Sequence, residues 1–364
     1  MSRTLSTTPR EDGFRMPAEW EPHSGCWLIW PENSDNWRLG AKPVQQKFIE
    51  VASIIAESEP VTVCASPAQY RNARARLPEH VRVVELEHKD AWARDAGPTF
   101  LINDQGDLRG VHWQFNAYGG LSEGLHFPWN HCELAGQKIL EMERADRYRP
   151  EIVLEGGSIH VDGEGTVVTT EECLLNPNRN PDLSKEQVET YLEDYLNISK
   201  VIWLENGLYE DETDGHVDNV CCFLAPGVVA LAWTDDESDP QYALSKRCLD
   251  ILESETDAQG RKLKVVKFPQ PKPIIYSEEE CFGIDMDEYA EPRQPGDRTG
   301  ATYLNFYIGN NIVLYPTFND ANDQVVHNIL EDYFPNRKVV GIFAREIILG
   351  GGNIHCITQQ QPKA

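Results

Sequence analysis

The sequence predicts an α/β fold in which five αβ repeats close around a central cavity with pseudo-fivefold symmetry, as a single domain over residues 16–360. Three observations carry that prediction. Amphipathic helical periodicity recurs five times, each time followed within a short turn by an apolar, β-branched run. After these runs the chain returns through polar or glycine-rich residues into a hairpin-like pair of strands. One short frame also occurs twice: Gly156-Gly157-Ser158-Ile159-His160-Val161 and Gly351-Gly352-Asn353-Ile354-His355-Cys356 align, with Val161 where Cys356 stands.

Taken in order, the first unit has Val44, Phe48, Val51 and Ile55 on one helical stripe and a strand over 61–65. The second runs through Leu134, Ile139, Leu140 and Met142 and predicts a strand at 152–154. In the third, Ser184 is placed to cap a helix over 184–197 with Val188, Tyr191 and Tyr195 on one side, before a strand at 201–204. The fourth pairs a helix over 242–252 with a strand at 263–266, and the fifth has Val325, Ile329 and Tyr333 before a strand at 339–342. Hairpins are expected over 98–111, 158–170, 219–233 and 303–315, each folding at a Gly, Asn or Asp cluster. The last copy is expected to stop after Thr358 at a polar tail, 359–364, leaving an N-terminal strand at 26–30 to complete the ring. Residues 1–15 are polar without an apolar signal core and read as a disordered tail outside the secretory route.

Composition narrows the partners. Among 364 residues, 59 acidic against 33 basic side chains give a formal charge of −26, which argues against nucleic acid or an anionic membrane and suits a small cationic ligand. No apolar run approaches a membrane span. Nine cysteines without CxxC spacing read as a reduced, cytoplasmic protein, and His and Cys do not fall into the paired spacings of a zinc site, so no metal is expected.

The chemistry gathers at matched points of the repeats. Trp92-Ala93-Arg94-Asp95-Ala96-Gly97-Pro98 leads the first hairpin, Glu155-Gly156-Gly157 the second, Gly215-His216-Val217-Asp218-Asn219 the third and Gly351 to Cys356 the last. Cys356, at the mouth of a turn into a β-branched run, is the candidate nucleophile. A single His-x-Asp is more often a structural pair, as the second copy His160-Val161-Asp162 illustrates. A Cys and a His suit amide hydrolysis, but that chemistry needs donors for an oxyanion. The remaining groups here, Asp95, Glu155 and Asp218, are acceptors, and acceptors match the five-donor fork of a guanidinium. Thiolate attack on a guanidinium carbon joins an anion to a cation, so no oxyanion hole is required.

These motifs, with Met16-Pro17-Ala18-Glu19-Trp20 and Glu171-Glu172-Cys173-Leu174-Leu175-Asn176, resemble those of the agmatine deiminases, guanidine-modifying enzymes of the pentein α/β-propeller group. The C-terminal run through Gln359-Gln360-Gln361 is similar to the plant-type branch. The resemblance implies Cys356 as nucleophile through a covalent amidino intermediate, His216 as general acid and base, and Asp95 and Asp218 on the guanidinium with Glu155 beside them. It implies Trp92 as a wall for the aliphatic chain, Gly351 and Gly352 in the substrate-binding turn, and Glu212 and Asp214 as candidates for the distal ammonium. The implied reaction converts agmatine and water to N-carbamoylputrescine and ammonia, toward putrescine, with no metal or organic cofactor and in a homodimer or larger assembly. Two alternatives stand beside it: a deiminase or amidinotransferase acting on arginine or peptidyl-arginine, and a polyamine-binding protein without catalysis.

Overall fold

The computed structural model describes residues 2–285 and 293–364. They form five small mixed sheets, and every sheet follows one plan: a hairpin, a helix, then a strand laid parallel to the hairpin. The hairpin Thr99–Ile102 with Leu108–Val111 leads through the helix Ala135–Met142 to Asp146–Tyr148. Ile159–Val161 with Thr166–Thr170 leads through Lys185–Leu196 to Lys200–Leu204. Cys221–Ala225 with Val228–Trp233 leads through Pro240–Ser254 to Lys264–Pro269. Tyr307–Ile308 with Ile312–Thr317 leads through Asn322–Tyr333 to Lys338–Phe343. In the fifth sheet the hairpin is made from the two ends of the chain: Gln359–Pro362 runs antiparallel to His23–Ile29, which continues through Lys42–Ile55 to Val61–Ala65 and Arg82–Glu85.

Local chemistry accounts for most of these boundaries. Ser184 accepts from Gln187 N–H while the Gln187 side chain returns to Ser184 N–H, a reciprocal cap that starts its helix. Val61–Ala65 is fully buried between its neighbours and reads as an almost unbroken apolar run, whereas Lys264–Pro269 and Lys338–Phe343 lie at sheet edges and each begin with an exposed lysine. Three apolar clusters fill the space between sheets and helices, centred on residues such as Trp27 and Phe48, Phe223 and Phe268, and Leu101 and Val161.

Four expectations are corrected. The second crossover strand is Asp146–Tyr148, not 152–154; Ile152 and Leu154 are core residues without a strand ladder, and only Val153 bridges, to Gln114. Residues 353–356 turn rather than extend, and the strand begins at Gln359. The polar end is thus itself the closing strand, with Gln361 Oε1 accepting from the Trp27 indole N–H at 2.8 Å. The segment before Met16 is tied down: Thr4–Leu5 pairs with Asp146–Tyr148, Thr8 caps the helix Pro9–Asp12, and Phe14 is buried in the core.

The plan matters because of what precedes each hairpin. Ala93–Ala96, Gly156–Ser158, Val217–Asn219, Leu304-Asn305 and residues 353–356 stand at the entrances of the five sheets. The turn Gly156–Ser158 touches both Ala93–Ala96 and Val217–Asn219, so these entrances meet at one place.

Candidate active site

Gly157 marks the floor of that meeting point. A Cβ there would stand 2.6 Å from His216 Nδ1 and 3.0 Å from both Asp218 Oδ2 and Asp95 Oδ1, so only glycine lets the three side chains converge. The Gly157 N–H donates to Asp95 Oδ1 at 2.9 Å, and the Tyr118 hydroxyl donates to Asp95 Oδ2 at 3.1 Å. Burial, with Asp218 adding repulsion, pushes the Asp95 carboxyl up to about 6 despite His216.

Cys356 is held by the fourth sheet's entrance. Asn305 Nδ2–H donates to its sulfur at 3.0 Å, while Asn305 Oδ1 accepts from the N–H groups of His355 and Cys356 at 2.9 and 3.2 Å. The sulfur lies 3.6 Å from Asp218 Oδ2. Burial, then the Asp218 and Asp95 carboxylates, hold the thiol well above its ordinary range. The free site therefore keeps Cys356 as a thiol until a cation offsets those acids.

His216 stands with Nδ1 3.8 Å from Asp95 and Nε2 3.8 Å from Glu155. Burial alone would lower its pKa, but Asp95, Cys173 and Glu155 outweigh it and raise the imidazole well above its usual value. These neighbours favour the imidazolium form.

Glu155 is placed differently from the expectation of a substrate contact. It is fully buried behind His216, where Arg179 Nε–H donates to it at 2.8 Å; burial would raise its pKa, and Arg179 and His216 bring it down to about 2. Asp214 is drawn to the same side, with Arg179 donating to it at 2.7 Å. Neither lines the cleft; together they fix Arg179, and through Glu155 the face of His216.

Asp218 Oδ2 pairs with His355 Nδ1 at 2.8 Å, and His355 Nε2 with Glu19 Oε1 at 2.7 Å, beside Arg94. Burial opposes ionisation of Asp218, yet His355 and His216 keep its pKa below the ordinary value, and its Oδ1 has no partner. An ionised, half-satisfied carboxylate beside the thiol is a cation site.

Above this floor the cleft is walled by Trp92, Tyr118, Leu125, Glu212 and the Gly350 to Gly352 turn. The glycines are explained by what leans on them. A Cβ on Gly352 would lie 2.8 Å from the Trp92 ring, and one on Gly351, whose φ is +102°, 2.3 Å from Glu212 Oε2. Glu212 accepts from Arg293 at 2.7 and 2.8 Å; burial would raise its pKa, and Arg293 keeps it below the ordinary value.

Two donor groups, Glu19 with His160 and His355, and Glu155 with Cys173 and His216, are compact enough to hold a metal ion. In both, the carboxylate already faces an arginine, Arg94 or Arg179, which places positive charge where a metal would need negative. The donors belong to ion-pair networks.

Of the residues picked from sequence, Cys356, His216, Asp95 and Asp218 converge, and Trp92, Glu212, Gly351 and Gly352 line the cleft above them. Asn305, Tyr118, His355, Glu19 and Arg179 were not assigned there. Asn305 had a signal, its place at the entrance of the fourth unit, and His355 and Glu19 stood inside the quoted motifs; Tyr118 and Arg179 had none beyond composition.

The Porphyromonas-type peptidyl-arginine deiminase family matches residues 15–362. The chain is 58% identical to an agmatine deiminase of Pseudomonas aeruginosa over 98% of each chain. It is 57% identical to one of Ectopseudomonas mendocina, over 99% of this chain and 98% of the relative. A solved agmatine deiminase of Enterococcus faecalis superposes over 100% of both chains, with a TM-score of 0.97 at 49% identity.

Proposed function

The chain belongs to the Porphyromonas-type peptidyl-arginine deiminase family, and from that premise we propose that its cleft deiminates agmatine to N-carbamoylputrescine and ammonia, a step toward putrescine. It is a hydrolase of a guanidinium C–N bond. The observation that carries the reading is the placement of acids at both ends of one cleft: Asp95 and Asp218 beside Cys356, and Glu212 at the outer end. Agmatine is a cation at both ends.

The guanidinium enters between Asp95 and Asp218, and its charge offsets the carboxylates that hold the Cys356 thiol up, so the sulfur releases its proton to water. The thiolate adds to the guanidinium carbon, giving a neutral tetrahedral adduct. His216 gives its proton to one NH2 group, the C–N bond breaks and ammonia departs, leaving an amidino-cysteine cation. The now neutral His216 takes a proton from water as its oxygen adds to that carbon. Collapse expels the sulfur and leaves the ureido product. Asp218, fixed by His355, and Asp95, fixed by Gly157 and Tyr118, hold the fork in line.

Arg293 reaches Glu212 from the neighbouring chamber, and both its hydrogen bonds to Glu212 are made. It is not free to receive the α-carboxylate of arginine, which would lie unmatched at a cost of at least a few kcal/mol. Ammonia release should therefore favour agmatine over arginine by at least about a hundredfold in kcat/KM, at about 1.4 kcal/mol per tenfold. Comparable efficiency on arginine would sink the agmatine reading and leave the Cys356 chemistry standing. Glu212→Gln should narrow the preference at least about tenfold, by removing the ammonium's counter-charge and releasing Arg293; an unchanged ratio would assign the ammonium elsewhere.

The setting follows from the same chemistry. The reading takes no organic cofactor, nucleic acid or membrane partner, and no described helix is long and apolar enough to cross a membrane. All nine cysteines are free, which supports a reducing, cytoplasmic location. Leu39, Ile275 and Phe282 are exposed, with Leu39 joined to the Phe282 turn through Gly283, and such an apolar face supports a homodimer or larger assembly. Sedimentation of a monomer at micromolar concentration would rule that assembly out.

A further inference from the structure

Beside the cleft that ends at Glu212 lies a second chamber, lined by Asp35, Asp90, His126 and Arg293 among others. Trp92, Leu125, Glu212 and Gly350 line both spaces, so the two adjoin at these side chains. In the reading above, the four-carbon chain of agmatine is used up between Cys356 and Glu212, and the outer chamber has no part in its turnover.

That chamber holds a buried acid, Asp90, that has no lysine or arginine within ion-pair distance among the described residues. Asp90 is buried; its Oδ1 accepts the Ala91 N–H at 2.8 Å, and its Oδ2 faces His126 Nδ1 at 3.7 Å, beyond hydrogen-bond reach. His126 is 5% exposed, lines the chamber, and its Nε2 has no partner. Burial holds His126 neutral, down to about 4, so it offers Asp90 no charge, and a neutral imidazole keeps one ring nitrogen as an acceptor. The other charges at the chamber are already matched: Asp35 faces Lys89 at 3.3 Å, and Arg293 donates to Glu212 and to Asn36. Burial, with Asp35 and Asp95 adding to it and Arg293 offsetting it only in part, pushes the Asp90 carboxyl up to about 7. An acceptor pair of this kind is satisfied by an ammonium, which supplies both the charge and the N–H donors.

We propose that the outer chamber is a second cation subsite, formed by Asp90 and His126, through which the enzyme also deiminates extended guanidino-polyamines. In these substrates the distal nitrogen at Glu212 is a secondary ammonium carrying a further aminoalkyl arm that ends at Asp90. This rests on the agmatine reading and extends its substrate class. The bond changes stay the same: water enters at the guanidinium carbon on Cys356, ammonia leaves, and the product is a ureido-polyamine. A secondary ammonium keeps its charge and two N–H donors for Glu212, so the inner cleft needs no change.

The test compares agmatine, agmatine carrying a 3-aminopropyl arm on its distal nitrogen, and the same compound with an uncharged butyl arm, all by steady-state ammonia release. The triamine should match agmatine in kcat/KM and exceed the butyl compound about tenfold, which corresponds to about 1.4 kcal/mol. Asp90→Asn should bring the triamine and the butyl compound to about parity. Turnover of agmatine with none of the triamine, or equal rates on the triamine and butyl compounds in the unmodified enzyme, would overturn the proposal and leave the agmatine reading intact. A tenfold preference that survives in Asp90→Asn would overturn the assignment of the subsite. Failure on agmatine itself would overturn both readings.

Discussion

Cys356→Ala should lower agmatine turnover at least about ten-thousandfold, because the thiolate is both the attacking group and the group later expelled. Of the nine free cysteines, Cys356 is the one that lines the inner cleft. Cys173, the other thiol close to His216, sits 4.0 Å from Glu155 on the far side of the imidazole. Near-UV circular dichroism of the variant should match the parent, since the alanine removes a single sulfur and Asn305 still holds the backbone N–H groups of His355 and Cys356. Mass spectrometry of acid-quenched enzyme should find the amidino adduct on Cys356, and an adduct on Cys173 or Cys221 would end the assignment.

The second large effect separates two histidines from similar His-x-Asp motifs. His216→Ala should cost about 10²- to 10⁴-fold in kcat, the usual range for a proton-transfer group, with smaller loss in KM. His160 is elsewhere: its Nδ1 accepts from Phe223 N–H at 3.3 Å, its Nε2 faces Glu19 at 3.6 Å, and its ring stacks on His355. His160→Ala should mainly lower stability, by about 1–3 kcal/mol for the polar groups left unpaired, read as a shift in denaturation midpoint. Equal loss of turnover per folded molecule in the two variants would contradict the division of roles.

What the sequence made legible was what local chemistry controls. The hairpins announce themselves through Asn103, Gly106, Gly163 and Gly227, and the third helix through Ser184, since turn and cap geometry depend on a few adjacent residues. The strand at 152–154 misleads because an apolar run that packs without a ladder has the same composition as one that pairs. Gln359–Pro362 misleads the other way, since its glutamines are buried by pairing and by partners such as Trp27, which no hydropathy pattern records. In the site, residue type betrays a nucleophile or an acid but not its facing. Glu155 and Asp214 are drawn behind His216 by Arg179, a side chain from a turn between strand and helix whose reach only the folded chain shows. Tyr118 is neutral and carries no signal of its own, while Asn305 is marked only by its place at the entrance of the fourth unit.

The pairing of Gln359–Pro362 with His23–Ile29 has a consequence for biosynthesis. Domains generally begin to fold from the N-terminal side as the ribosome delivers them, and this strand has to wait for nearly the whole chain before its partner emerges. Cys356 lies three residues before that partner strand, so the segment that seals the ring is also the one that delivers the sulfur. A nascent chain stalled or cleaved before Gln359 leaves an open edge and unpositioned chemistry together. Catalytic competence and ring closure thus arrive in one event, and no truncated intermediate can consume substrate before the architecture around it is finished.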